Sequence, residues 1–286
     1  MSLTVTVVHA CQRAGRGGSP TAVVDEAPLS AAERCAVSAA AGTSHAVFVS
    51  TEQQRHGRPA VSLRFFTGAG ELPACGHGTV AALAVLAERA RTPQYEAVLR
   101  SGGRSFLGRA TGGGNRYEAA FDPGPVQLRA PAATESQLVF SALGIDSEEA
   151  SAQCRIASVG RPRMLVRVVD REALANLAPD MTRLRDACDQ LGLLGCYVYS
   201  TPSPDGRATA RMFAPSIGVP EDIANANSTA CLAAHLAEDG LSALHVDMGD
   251  SLGEPATIIA TTRPRPAGPL VRVGGTATIV KRISLA

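Results

Sequence analysis

The sequence predicts an α+β fold of two similarly built domains, and three observations carry that prediction. Short strand-like runs alternate with occasional helices, the pattern of mixed, largely antiparallel sheets. The segment Val80-Ala-Ala-Leu-Ala-Val-Leu-Ala87 is apolar on every face, as a helix buried inside a domain must be. A second segment, Thr229 to Ala237, repeats that character behind the same order of features. In each half an Arg-x-Phe strand (Arg64-Phe-Phe66, Arg211-Met-Phe213) precedes an acidic loop, a turn of small residues and the apolar helix.

Leu3 to Val8 alternates as a strand, Gly17-Gly-Ser-Pro20 is a turn, and Thr21 to Val24 is a second strand. Ser30-Ala-Ala-Glu33 is a capping box opening a helix to about Ala40, closed by Gly42. Ala46 to Ser50 and Val61 to Phe66 read as strands. After the first apolar helix come strands at Ala97 to Leu99 and Tyr117 to Phe121, with Gly112-Gly-Gly114 as a hairpin loop. Asp122 to Ala133, rich in Pro and Ala, carries the chain between domains expected at 1–125 and 126–275. Thr134-Glu-Ser-Gln137 caps a short helix ending near Gly144. Arg155 to Ser158 and Met164 to Val169 are strands, Arg171 to Leu177 a short helix and Met181 to Leu191 a longer one. Cys196 to Ser200, Ala208 to Phe213, Ile258 to Thr262, Leu270 to Val273 and Thr276 to Ile283 complete the β structure.

Composition removes several classes of function. A net charge of +1 gives no reason to expect nucleic acid or an anionic membrane as partner. No apolar run reaches bilayer length and no signal-peptide pattern opens the chain, so a cytoplasmic protein is expected. Seven cysteines without a Cys-x-x-Cys pair suggest reduced thiols. Lys281 is the single lysine, which speaks against Schiff-base chemistry. No Gly-x-Gly-x-x-Gly follows a strand and no Walker-type motif exists.

The chemistry concentrates in Glu71-Leu-Pro-Ala-Cys-Gly-His-Gly-Thr79. Its Cys75-Gly76-His77-Gly78 turn stands at the N-terminus of the buried helix, where unpaired amides and the positive dipole end favour a carboxylate or developing negative charge. A thiol and an imidazole at the same place supply proton transfer. His9, His56, His235 and His245 are scattered at no ligand spacing, so no metal is expected. Glu52, Glu221 and Glu254 read most simply as solvated.

These motifs resemble the phenazine-biosynthesis-like isomerase family, relatives of diaminopimelate epimerase. Gly18-Ser-Pro-x-Ala-Val-Val24 resembles the family's Gly-Asn-Pro-x-Ala-Val-Val, and Glu71-Leu-Pro-x-Cys-Gly-His77 its central signature. Pro162-x-Met-Leu-Val166 with Glu172-Ala-Leu-x-x-Leu-x-Pro-Asp180, then Arg211-x-Phe-Ala-Pro215 with Gly218-Val-x-Glu-Asp222, and Gly274-Gly-x-Ala277 follow in order. The resemblance implies two epimerase-like domains, each a sheet curled around a central helix, with the site between them. It also implies a last strand, 276–286, packed back on the first domain, and a homodimer. The implied reaction is a cofactor-free proton shift on a small carboxylate.

Carried over residue by residue, the family's histidine falls on His77 and its aspartate on Asp222. Its glutamate falls on His45, in Thr43-Ser-His-Ala46. An imidazole of pKa near ~6.5 is naturally poised as a base at neutral pH, whereas a carboxylate near ~4.3 is deprotonated at lower pH unless desolvated. Ile223-Ala-Asn-Ala-Asn-Ser228 stands where Pro-Ala-Thr-Gly-Ser-Ala is expected. Asn225 and Asn227 can donate side-chain hydrogen bonds there. The expected catalytic residues are therefore His45, His77 and Asp222. Ser19, Cys75, Gly76, Gly78, Asn225, Asn227 and Ser228 are expected against substrate. A two-thiol racemase is disfavoured, because Cys231 lies about a turn inside the second helix.

The leading expectation is an isomerase that shifts a proton and double bond in a small unsaturated amino or carboxylic acid of natural-product biosynthesis. An intermediate of cyclic alkyl-proline type is one such substrate. A lyase or hydrolase on a similar substrate, and a non-catalytic binding homologue, are the alternatives.

Overall fold

In the computed structural model the described residues are 2–52, 57–145, 153–266 and 268–285. The chain divides into two compact units: Met1–Pro123 with Glu254–Thr257 and Arg272–Ala286, and Gly124–Gly253 with Ile258–Val271. The elements begin with β1 (Leu3–Gln12), β2 (Ser19–Asp25), α1 (Ala31–Ala41), β3 (His45–Glu52), β4 (Ala60–Thr67) and β5 (Gly70–Leu72). Next come α2 (Gly76–Ala90), β6 (Gln94–Ser101), β7 (Arg104–Gly113), β8 (Arg116–Phe121), β9 (Gln127–Arg129) and α3 (Ala133–Leu143). Then follow β10 (Arg155–Val159), β11 (Arg161–Val168), α4 (Arg171–Ala175), α5 (Met181–Leu191), β12 (Cys196–Ser200) and β13 (Arg207–Ala214). The chain finishes with β14 (Val219–Asp222), α6 (Ala226–Leu236), β15 (Ala243–Met248), β16 (Ala256–Arg263) and β17 (Leu270–Leu285).

In the first unit β1 pairs antiparallel with β2, β2 parallel with β3, β3 antiparallel with β4, and β4 parallel with β6. Hairpins carry the sheet on to β7 and β8. β17 then pairs with β8 on one side and β1 on the other, closing a barrel. α2 runs through it, in contact with β1, β2, β3, β6, β7 and β8, and every residue from Gly76 to Ala87 is buried. A helix walled by strands on all sides must be apolar on all faces. Each buried Val or Leu contributes about 1.5–3 kcal/mol. Gly108 on β7 permits the close fit, since a Cβ there would stand 2.9 Å from Leu83 of α2 and 2.5 Å from Leu99. α1 packs its Val37 and Ala41 with Val5, Val24, Phe48 and Phe66. It is opened by the Ser30–Glu33 capping box and closed by Gly42 at φ 68.

The second unit repeats the sequence of pairings. β10–β11 is antiparallel, β11–β12 parallel, β12–β13 antiparallel and β13–β15 parallel, with β9 added beside β10. α6 contacts β9, β10 and β15 and is buried at every residue but Asn227. α3, α4 and α5 enclose a core with Val139, Phe140, Met164, Leu174, Leu184, Cys188 and Phe213.

Several local expectations are corrected. β7 and β15 are strands the alternation pattern did not reveal, and the hairpin loop after β7 narrows to Gly114-Asn115 because Gly112 and Gly113 stay paired. The segment between the domains contains β9, which pairs with β10. α3 starts at Ala133, its Glu135 carboxylate accepting the Ala132 N–H at 2.7 Å, so Thr134 lies inside the helix. The Gly274-Gly275 pair does not break the last strand. A Cβ at Gly274 would sit 2.0 Å from the Ala119 carbonyl oxygen, so glycine there serves a close strand approach. Among the described residues no helix is long and apolar enough to cross a membrane.

Candidate active site

In the first unit the β4–β5 hairpin delivers the chain to α2. Arg64 grips Glu71 across that hairpin with two bonds of 2.8 and 2.7 Å, its guanidinium 5.2 Å from the Phe66 ring. Cys75 is then the N-cap of α2. Its Sγ accepts the Gly78 N–H at 3.4 Å, and its carbonyl takes the Thr79 hydroxyl at 2.8 Å. Gly78 is required as glycine, because a Cβ would meet Phe65 at 3.0 Å and the Cys75 sulfur at 3.1 Å. Gly76 and His77 form the first turn, at the positive end of the helix.

The parallel register of β2 and β3 places His45 opposite Thr21, at the first position of β3. Its ring meets that of His77 edge to face, centroids 4.3 Å apart at 79°. Both are buried, at 7% and 2% exposure. His77 Nε2 lies 3.2 Å from Cys75 Sγ. His45 Nδ1 lies 3.0 Å from the Ser44 hydroxyl, which donates to the Pro20 carbonyl at 3.0 Å and lies 3.3 Å from the Ser19 hydroxyl. Ser19 is thus buried against the serine that holds His45. Burial first, and the His77 ring second, hold His45 well below the ordinary imidazole range. Its surroundings thus favour the neutral ring.

One ligand atom from each of His45, Cys75 and His77 lies within 4.8 Å of the others, close enough to share one ion. The positive end of α2 opposes a cation there and favours an anion or a developing negative charge. The arrangement therefore suits proton transfer beside an anionic substrate better than metal binding.

The second unit builds a matching turn. Arg211 holds Glu221 with bonds of 3.0 and 2.8 Å, donates to the carbonyls of Leu174 and Leu177, and lies 4.8 Å from the Phe213 ring. Glu221 is therefore not solvated as its sequence context suggests, since its side chain is 9% exposed. Asn225 is the N-cap of α6, its Oδ1 accepting the Ser228 N–H at 2.9 Å. With the oxygen so used, the amide nitrogen must donate, and it does so to Asp222 Oδ2 at 3.0 Å. Asn227 is half-buried in the first turn and Ser228 fully buried. Cys231, buried a turn further in, accepts from Arg163 at 3.3 Å. His235 is buried near the far end of α6, and His56 lies outside the described residues.

Sequence reasoning missed Ser44 and the two Arg–Glu clamps. The signals were present: a serine adjoining the candidate base, and an arginine and a glutamate at matching places in both halves.

Residues 10–282 match the family described as phenazine biosynthesis-like protein. A Deinococcus radiodurans protein named an uncharacterized isomerase is 27% identical over 277 residues, spanning 93% of this chain and 88% of the relative. The structure of a predicted epimerase from Pseudomonas aeruginosa superposes with a TM-score of 0.80 at 26% identity, covering 99% of each chain. A probable proline racemase from Agrobacterium radiobacter shares the fold, with a TM-score of 0.64 at 11% identity over 99% of this chain and 93% of that one.

Proposed function

This chain belongs to the phenazine biosynthesis-like protein family, and we propose that it is a cofactor-free isomerase of a small unsaturated amino or carboxylic acid. The observation that carries the reading is the pair of buried imidazoles, 4.3 Å apart at the positive end of α2. Isomerase chemistry is supported by the Deinococcus relative, named an isomerase, and by the Pseudomonas protein, named an epimerase.

In this reading His45 Nε2 takes a proton from a substrate carbon. The C–H electron pair moves into the conjugated system, and the double bond shifts. A proton returns to a different carbon. Where His45 delivers it, the enzyme is restored at once; where the His77–Cys75 pair delivers it, His45 must then give up its proton to solvent and the pair must regain one from solvent before the next turnover. The anion formed in between is stabilised by the helix end, an effect worth about 0.3–1 kcal/mol at an exposed site and more when partly buried. The Gly76 amide is assigned to the substrate carboxylate, since the Gly78 amide already serves Cys75. On the family's pattern we assign Asp222, with Asn225, Asn227 and Ser228 of its turn, to the same reaction. Two-thiol racemisation is disfavoured because Asn225 caps α6 where Cys75 caps α2. The histidine in the base position and the altered second turn suit a substrate of specialised metabolism, such as a cyclic alkyl-proline-type diene.

The test is incubation of the purified protein with a panel of conjugated cyclic amino acids, read by NMR and mass spectrometry. The expected product keeps its mass in ordinary water and gains deuterium at a new carbon in deuterated water. Gain of water or loss of a fragment would make the protein a hydrolase or lyase. Binding without deuterium uptake would make it a non-catalytic binder.

A further inference from the structure

We propose that Ser44 is a positioning residue that locks His45 in the tautomer with its proton on Nδ1, so that Nε2 presents a bare lone pair. The inference rests on the reading of His45 as the base. A serine hydroxyl has one hydrogen and two lone pairs. The Ser44 hydroxyl donates its hydrogen to the Pro20 carbonyl at 3.0 Å, and that carbonyl can only accept. Toward His45 Nδ1, also at 3.0 Å, Ser44 therefore offers a lone pair, and Nδ1 must be the donor. The Ser19 hydroxyl, 1% exposed and 3.3 Å away, is placed so that it can donate to the remaining Ser44 lone pair.

The consequence is mechanical. The Nδ1–H to Ser44 bond is the same in the neutral ring and in the protonated ring. Nε2 can then gain and lose a proton with no hydrogen bond rearranged, the condition for a preorganised base. A free neutral histidine prefers the opposite tautomer, so this one must be imposed by its surroundings. A glutamate needs no such device, because its two oxygens are equivalent. The serine becomes a positioning residue because a histidine occupies the base position.

The full-length protein is labelled with 15N-histidine, and its ring nitrogens are read by NMR above the imidazole titration range. His45 is assigned by comparison with His45→Gln. Wild type should show a protonated Nδ1 and a bare Nε2 on His45. Ser44→Ala should mix the tautomers and lower kcat/KM by about 2–10-fold, the factor one net hydrogen bond confers. Ser44→Thr, which keeps a hydroxyl, should restore both. Ser44 is exposed and its backbone N–H also bonds Pro20, so the alanine variant retains its fold. A wild-type proton on Nε2, or a Ser44→Ala protein with an unchanged Nδ1–H signal, would overturn the proposal. A tautomer shift without a change in turnover would uphold Ser44's role and remove His45 as the base.

Discussion

Cys75 caps α2 and Asn225 caps α6 by the same bond, each accepting the amide three residues on, and a threonine hydroxyl returns to each cap's carbonyl. Each turn is reached through a hairpin pinned by an arginine–glutamate pair with the arginine over a phenylalanine. The two differ in what that plan holds. The first carries a thiol and an imidazole, and a second imidazole is brought to it by β3. The second carries a carboxylate tethered by its own cap. Their clamps differ as well: Arg64 and Glu71 are each 45% exposed, while Arg211 and Glu221 are 15% and 9% exposed. The thiol and the imidazoles sit with the exposed clamp. The Asp222 carboxylate sits where the clamp is buried and tied to carbonyls near α4. One scaffold thus presents a thiol–imidazole turn and a carboxylate–amide turn, and the residues at cap and cap plus two decide which.

The largest expected effect is on the thiol–imidazole turn and the histidine beside it. His77→Ala or His45→Ala should lower turnover by about 10²–10⁴ if each ring transfers a proton. Near-wild-type turnover in either variant would take that ring out of the chemistry. Next, Glu221→Gln should strand Arg211 in a nearly buried site and destabilise the protein by about 3 kcal/mol. Glu71→Gln at the exposed clamp should cost only about 0.2–1 kcal/mol. Denaturant midpoints of the two variants compare the clamps directly, and equal losses would erase the contrast drawn between them.

The pH profile sharpens the comparison further. Burial holds His45 below the usual imidazole value, and in the proposed reaction the base is the unprotonated ring. Activity should therefore persist as pH falls through ~6.5 and be lost only at the lowered value. The same desolvation would raise a carboxyl, so the acid limb of His45→Glu should lie within less than about 2 units of the wild-type limb, closer than the free side chains. A wild-type limb at or above ~6.5 would count against His45 as the base. The two caps differ by a small amount. Asn225→Ala should cost about 1 kcal/mol of stability through the lost cap. Cys75→Ser should cost less, because a hydroxyl can still accept the Gly78 amide. A larger loss for the serine variant would show that the sulfur does more than cap.

Much of this architecture is legible in the residues alone. The all-round apolar segments announce helices with no solvent face, and Ser30 to Glu33 announces a helix start, because both signals are local. β7 escapes notice because Gly108, Gly112 and Gly113 dilute its pattern, yet its register is held by partners on both sides. Gly274-Gly275 reads as a break because glycine usually punctuates, and only the facing Ala119 carbonyl gives the pair its meaning. Glu221 reads as solvated because an acidic residue in a loop usually is, and its pairing with Arg211 shows only when the two halves are set side by side.

The residues alone mark the helix that must be buried and the residues at its mouth, and through the family resemblance they lead one to expect a histidine where the family has a glutamate. These are matters of residue identity and short-range periodicity. The folded chain adds that His45 touches His77, that Ser44 stands behind His45, and that burial lowers the proton affinity of the His45 ring. Those facts depend on the parallel register of β2 with β3 and on a barrel closed by a strand from the far end of the chain. The desolvation and contact that tune a proton acceptor are properties of groups brought together across such non-local pairings, so no window of sequence contains them.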